Sequence, residues 1–340
     1  MTSDRDVTIY DIARVLDISA STVSRGLKNH PHVRKEMKKK ILMTARKMGY
    51  QQNKFASNLR QKHTSTIGVI IPRLDSYFMS TVISGMEKVA NDSGYNLIIS
   101  QSQESLRKES ASAATLFNTR VDGILISLSY ETTDLDHLNV IFKKGIPVVF
   151  FDRICDHPKC KSVVINNYKA GYEATAHLIN QGCKKIIHIG GSLIRNVYSD
   201  RYNGFRQAMT DNDLEIAPQS LIVTDLSHKS GVDVARSLLQ QKKMPDGIFA
   251  SNDTSAVAIM CELKQSGIRI PEDVCVVGFN NDPISRVVEP NLTTINYPGR
   301  EMGEIAGTTL ISILKGQQSD LLNSIVLSHS LIIRQSSLRK

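Results

Sequence analysis

Apolar positions give the chain two textures. From Thr8 to Leu27, TIYDIARVLDISASTVSRGL, they recur at helical spacing. Ile9, Ile12, Ala13 and Leu16 fall at i, i+3, i+4 and i+7, one face of a short helix. Thr8 with Asp11 three residues on has the form of a capping box. Ser19 is suited to cap a second helix, whose apolar positions are Val23 and Leu27. The other positions of that helix, Ala20, Ser21, Thr22, Ser24 and Arg25, make a small, hydroxylated surface tipped by one guanidinium. A third helical stretch, 33–48, offers Met37, Ile41, Ala45 and Met48 as a stripe. Each piece is too short to be stable alone in water. Three of them around one small core, with this turn, read as a helix-turn-helix head.

Beyond residue 65 the period changes. Near-continuous β-rich runs, TIGVII, YNLIIS, VDGILIS, IPVVFF, SVVIN, KKIIHIG, SLIVT, DGIFAS and DVCVVGF, alternate with amphipathic helical segments. Strands apolar on both faces between helices predict parallel sheets covered on both sides. Nine strands are many for one sheet and comfortable for two. The fold expected is therefore a small all-α head followed by α/β: two doubly wound parallel-sheet lobes with a ligand cleft between them. Sites are expected at the carboxyl ends of the strands.

Charge sharpens this division. Residues 1–63 hold 14 Lys+Arg and 5 Asp+Glu, whereas the rest of the 340-residue chain holds 28 of each sign. The whole net charge of +9 therefore sits on the head, which points to a polyanionic partner. The N-terminus is charged and no apolar run approaches the roughly 20 residues of a membrane span. Five scattered cysteines read as reduced thiols, and the expected location is the cytoplasm. Cys155, His157 and Cys160 in CDHPKC are three potential metal ligands without a fourth at a recognisable spacing, so no metal and no cofactor is expected. Phosphate loops, dinucleotide fingerprints, zinc-protease motifs and nucleophile elbows are missing, and an enzyme is not expected.

The strand ends carry the chemistry. VVFFDR ends in Asp152 and Arg153, IFASND in Asn252 and Asp253, and VVGFNND in Asn280, Asn281 and Asp282. RNVYSDRYNGF places Arg195, Asp200 and Arg201 at a helix. Forked donors and carboxylates suit the hydroxyls of a sugar or the edge of a nucleobase. The same residues also serve as caps and turn formers, and Asp253 suits the cap of the following helix.

The head TIYDIARVLDISASTVSRGLKNHPHV, the segment GYQQNKFASNLRQKHTSTIGVIIP and the lobe motifs DRYNGF, IFASND, VVGFNND and PNLTTI together resemble the LacI/GalR repressors over nearly the whole chain. The resemblance implies a head at 1–50, a hinge helix and linker at 51–64, and an effector-binding and dimerisation domain at 65–340. Within the last, it implies an amino lobe of about 65–162 plus 297–325 and a carboxyl lobe of about 163–296 plus 326–340. It places Ala20, Ser21 and Arg25 on base edges and Tyr10, Thr22, Ser24 and Asn53 on phosphates. Thr8, Lys28, Tyr50 and Lys54 complete the DNA-contacting set. Leu59 would wedge into a minor-groove step, and Ala56 would let two hinge helices approach. Gln52 stands where the family has Pro before the hinge, and Asn280 where it often has Asp. Tyr77 and Phe78 would line the cleft with Asp152, Arg195, Arg201, Asn252, Asp253 and Asn280. Arg201, taken as an exposed cleft residue, is expected to contribute little to stability without ligand. The function implied is a ligand-responsive homodimeric repressor of a pseudo-palindromic operator on double-stranded DNA, with a sugar or sugar derivative as effector. The alternatives are a purine-type or other corepressor-dependent regulator, or a solute-binding protein.

Overall fold

The computed structural model describes residues 7–50, 63–317 and 323–339. The chain divides into two compact units, Met1–Thr64 and Ser65–Lys340. The hinge residues Asn53, Lys54, Ala56 and Leu59 lie outside the described residues.

In the first unit α1 (Ile9–Leu16), α2 (Ala20–Leu27) and α3 (Lys35–Lys47) enclose Ile12, Val23 and Ile41, all fully buried. At the start of α1, the Thr8 amide donates to Asp11 Oδ2 at 2.9 Å. Ser19 caps α2 by accepting from the Thr22 amide at 3.2 Å. Between them Asp17 takes a left-handed turn, φ 49°, which lets two helices meet with almost no loop. Gly26 of α2 faces Ile41 so closely that a Cβ would strike its Cδ1. The third helix begins at Lys35, two residues later than its apolar stripe implies, because Val33 packs into the core from the preceding turn.

The second unit holds two six-stranded sheets. In chain order the first contains β1 (Thr66–Ile71), β2 (Asn96–Gln101), β3 (Gly123–Ile126), β4 (Val148–Phe151), β5 (Lys161–Ile165) and β11 (Ser324–Leu327). Its order is β11-β5-β4-β3-β1-β2, and every pair is parallel. The second contains β6 (Ile186–Gly190), β7 (Leu221–Val223), β8 (Gly247–Ala250), β9 (Cys275–Asn280), β10 (Thr293–Asn296) and β12 (Ser330–Ile332), in the order β12-β10-β9-β8-β6-β7. It is parallel except for β12, which runs antiparallel to β10 at the edge.

Each sheet marks a lobe, and the chain passes between lobes three times: after β5, after β10 and after β11. The strands place the lobe divisions expected at about 162 and 325 two to three residues further on, at the ends of β5 and β11. Val163 and Ile165 of β5 belong to the first sheet, as do Val326 and Leu327 of β11, which pair with Val164 and Ile165. Lobe membership follows from strand pairing, which local apolar patterning does not report.

The helices are α4 (Tyr77–Asp92), α5 (Leu106–Asn118), α6 (Asn139–Lys143), α7 (Asn167–Asn180), α8 (Asn196–Asp211), α9 (His228–Leu239), α10 (Asp253–Gln265) and α11 (Gly299–Leu314). In the first lobe α4 crosses α11 at Gly85 and Gly303, and in the second α7 crosses α8 at Gly171 and Gly204. A Cβ at any of these four would strike backbone of the facing helix, so both contacts require glycine.

Candidate functional site

Two surfaces concentrate chemistry. The first is the outer side of α2. Ser19 spends its hydroxyl on the cap and also lies 2.8 Å from both Ser21 Oγ and Thr22 Oγ1. Ser21, Arg25 and Lys28 are exposed, and Ala20, Thr22 and Ser24 are half-buried beside them. Among the described residues no carboxylate pairs with Arg25. Tyr10 on α1 is 65% exposed, unusual for so large a ring unless something covers it. Tyr50 instead rests on the head's core, and burial raises its pKa. Thr8 is committed to Asp11, its hydroxyl donating to Oδ2 at 2.6 Å.

The second is a cavity of about 410 Å³ within the second unit, at the carboxyl ends of the strands and lined by both lobes. Its aromatic floor is Phe78 stacked on Tyr297 with centroids 4.2 Å apart, and Tyr297 meets Phe279 edge-on at 5.8 Å. The Arg201 guanidinium lies 3.5 Å over the Phe279 ring. Its Nε donates to Asn167 Oδ1 at 2.9 Å and its Nη1 to the Ser251 carbonyl at 3.0 Å. Arg201 is thus buried, not an exposed cleft residue, and burial lowers its pKa from the ordinary value. Asp152, in a left-handed turn with φ 59°, accepts from Ser127 Oγ at 3.2 Å and from the Tyr297 hydroxyl at 2.8 Å.

The expected cleft residues separate into two groups. Tyr77, Phe78, Asp152, Arg201, Asn252 and Asn280 all line the cavity. Arg195 and Asp253 do not. Arg195 is buried and reaches the Thr132 carbonyl in the other lobe, with Nε and Nη1 unpartnered among the described residues. Asp253 is fully buried beneath the floor, accepting from Thr294 Oγ1 at 2.6 Å and from the Asp282 amide at 2.7 Å. Burial pushes its carboxyl up to about 8. It does not cap α10 either. Asn252 does, accepting from the Ser255 amide at 2.9 Å, while its Nδ2 donates to the Leu226 carbonyl.

Other lining residues gather around Arg153. Arg153 Nη1 donates to both oxygens of Glu104 at 2.9 and 2.8 Å, its Nη2 donates to the Tyr198 hydroxyl at 3.0 Å, and its guanidinium lies 4.4 Å over the Tyr130 ring. Tyr130 and Tyr198 are joined by a 3.1 Å hydroxyl bond. Since Glu104, Tyr130 and Arg153 belong to the first lobe and Tyr198 to the second, this cluster ties the lobes together. Asn196 adds a second tie, donating to the Asp152 carbonyl and accepting from the Ile154 amide. The sequence signals for this cluster are the position of Arg153 at a strand end and that of Asn196 and Tyr198 within RNVYSDRYNGF.

A second cavity of about 440 Å³ adjoins the first at the crossover from β10 to α11. Away from both, Cys160 Sγ lies 3.4 Å from His157 Nδ1, and among the described residues no three His, Cys, Asp or Glu side chains are grouped to hold a metal ion. No helix among them is long and apolar enough to cross a membrane.

Comparison with known proteins gives two matching families. Residues 8–53 match bacterial regulatory proteins of the lacI family, and residues 175–337 match a periplasmic binding protein-like domain. Catabolite control protein A of Priestia megaterium is 31% identical over 334 residues, covering 98% of this chain and 99% of that protein. The ribose operon repressor of Haemophilus influenzae strain Rd is 28% identical over 329 residues, covering 97% and 98%. Among solved structures, the Lac repressor bound to ONPG in its repressed state superposes with a TM-score of 0.85 at 26% identity, covering 98% of this chain and 100% of that one.

Proposed function

The chain belongs to the LacI family of bacterial regulatory proteins, and on that premise we propose that it is an operator-specific repressor controlled by a sugar or sugar derivative bound between its lobes. Its relatives are transcription regulators, not enzymes. The observation that carries the proposal is the exposed face of α2, with Ser21, Arg25 and Lys28 free to meet a ligand, on a head that holds the whole net positive charge of the chain.

In this reading α2 enters the major groove of cytoplasmic double-stranded DNA. Arg25 makes a forked contact to a guanine edge, and Ala20 touches a thymine methyl. Ser21 reads the neighbouring base. Tyr10, Thr22, Ser24, Lys28 and Asn53 hold phosphates, which position the helix without reading sequence. Asn53, Lys54, Ala56 and Leu59 act in the hinge, Leu59 as the wedge. Two copies are needed for the two half-sites of a pseudo-palindrome.

In the cleft, Arg201 is pre-positioned by Asn167, Ser251 and Phe279, so little rotamer freedom is lost when a ligand arrives. Asp152, Asn252 and Asn280 approach from other strand ends, and Tyr77 and Phe78 offer ring faces to the apolar side of a sugar. Arg195 and Asp253 serve the walls. The name of the ribose operon repressor supports a sugar. Ligand favours one arrangement of the lobes, and that difference in affinity shifts the operator-binding equilibrium.

The test is fluorescence anisotropy of the full chain on operators recovered by selection from random DNA, repeated over a salt series and with sugars and purines added. Binding should weaken linearly in log affinity against log salt, and one sugar should change operator affinity. A purine acting in its place would favour the corepressor alternative. Absence of a selected sequence would overturn the repressor reading.

A further inference from the structure

The second lobe holds a pair of cysteines that the cleft does not use. Cys183 follows α7 and Cys275 opens β9, at the end of the sheet opposite the cleft. Both are buried and both are free thiols. Gly247, the first residue of β8, pairs with Cys275 in register. A Cβ on Gly247 would stand 3.1 Å from Cys183 Cβ and 3.3 Å from its Sγ. The absent side chain leaves the space in which the two sulfurs come within hydrogen-bonding reach of each other.

The two thiols are not equivalent. Cys183 Sγ donates to the Asp246 carbonyl at 3.1 Å, and Cys275 Sγ to the Pro271 carbonyl at 3.5 Å. Arg339 reaches the same two carbonyls, with Nη2 on Asp246 at 3.1 Å and Nε on Pro271 at 3.2 Å. A guanidinium therefore stands beside both sulfurs. The bond from Cys183, with Arg339 behind it, holds the Cys275 thiol below its ordinary range, whereas the same bond and burial push Cys183 up. The thiolate is the nucleophile in thiol chemistry, so Cys275 attacks and Cys183 resolves.

The segment 335–339 lies against the pair. The Ser337 carbonyl is 3.7 Å from Cys275 Sγ, and Ser336 Oγ donates to the Val276 carbonyl at 2.6 Å. Leu338 beside them is exposed. A short segment seated by side-chain bonds can open without unfolding the sheet beneath it, which gives a small oxidant a way in.

We propose that Cys275 and Cys183 form a reversible disulfide when the protein meets hydrogen peroxide. The Cys275 thiolate attacks one peroxide oxygen and the O–O bond breaks. The departing hydroxide takes up the proton that Cys275 released and becomes water, and the sulfur is left as a sulfenic acid. The Cys183 sulfur then attacks the sulfenic sulfur. The S–S bond forms, the S–O bond breaks, and the hydroxyl leaves with the Cys183 proton as a second water. Two thiols and one peroxide give one disulfide and two waters, and a dithiol reductant reverses the change. The linkage ties the turn after α7 to β9. The opposite ends of these two elements carry Asn167 and Phe279, between which Arg201 is seated, so oxidation braces that wall of the cleft.

The test is mass spectrometry of the full chain before and after hydrogen peroxide. The treated parent should lose two hydrogen masses, and proteolysis without reduction should recover Cys183 and Cys275 in one linked fragment. Dithiothreitol should restore the mass. Cys275→Ser should remove the linkage, and Cys183→Ser should stop at the sulfenic acid, captured on Cys275 by dimedone. The melting temperature of each untreated variant checks that it is folded. A treated parent in which both cysteines still alkylate after unfolding overturns the inference, and so does a linkage of Cys155 to Cys160 in its place. Dimedone on Cys183 in Cys275→Ser, with Cys275 unlabelled in Cys183→Ser, overturns the order of attack.

Discussion

Replacing Asp253 by Asn should make the protein less sensitive to rising pH. Asp253 is fully buried under the cleft floor, and burial pushes its carboxyl up to about 8 from the ordinary 3.8 of an aspartate in water. The sign follows from which state releases its proton first. Below about pH 4 both folded and unfolded chains hold it, and the residue has no effect on the pH dependence. Between about pH 4 and 8 the unfolded chain releases the proton and the folded one does not, so folding stability falls as pH rises. Above about 8 both are ionised and the loss is complete. At about 1.4 kcal/mol per pH unit, the window from pH 6 to 8 alone costs roughly 2–3 kcal/mol. Asn cannot ionise, and it resembles the protonated acid in shape. Its oxygen can accept from the Asp282 amide while its Nδ2 donates to Thr294 Oγ1, the partners Asp253 has now. Urea unfolding of full-length parent and variant at half-unit steps from pH 5.5 to 8.5 measures the effect. The difference between the two midpoints should move in favour of Asn as pH rises. Parallel midpoint curves for parent and variant across that range would refute the reasoning.

Arg201→Ala should lower the melting temperature even without ligand, because it leaves Asn167 Oδ1 and the Ser251 carbonyl without their donor, at about 1–3 kcal/mol for each buried group left unsatisfied. An unchanged ligand-free melting temperature would return Arg201 to the exposed role that the sequence suggests. Gly303→Ala should cost about 1–3 kcal/mol by overpacking, since its Cβ would meet the Val82 carbonyl, part of a backbone that cannot turn aside; calorimetric melting checks it, and an unshifted transition counts against the close crossing. Arg25→Ala should relax base choice by about 1–3 kcal/mol of discrimination at one position of each half-site, whereas Ser24→Ala should weaken all sites alike. Operator selection with both variants decides it, and an unchanged preference in Arg25→Ala removes the guanidinium from base reading.

The strands were legible because a run such as TIGVII is apolar on both faces, and a strand buried that way needs no partner to be recognised. Which sheet it joins is a different matter. The sequence places the lobe divisions near β5 and β11 but not at their ends, because β11 joins its sheet by pairing with positions about 160 residues away. The cleft was legible where residues sit at strand ends, as with Asp152, Asn252 and Asn280. Burial was not. Arg201 looks from sequence like any polar residue on a helix, and only the return of Phe279 beneath it makes it an interior group. Asn252 and Asp253 are both good caps, so the sequence could not say which would turn outward. Glu104, Tyr130 and Tyr198 lie on segments that share no motif, and only the fold brings them around Arg153.

The repeated crossing between lobes has a consequence for synthesis. The first lobe has its five leading strands once Ile165 emerges, but the helix that covers α4 begins only at Gly299 and its last strand at Ser324. For about 130 residues of elongation, roughly 7–27 s at roughly 5–20 residues per second, the face of α4 that will bury Val82 and Met86 against α11 has no partner. A ribosome-bound chain therefore carries an adhesive, half-covered domain while the second lobe is made. Neither lobe can be finished on its own, and a nascent chain stalled before α11 is the species that chaperones would have to shield.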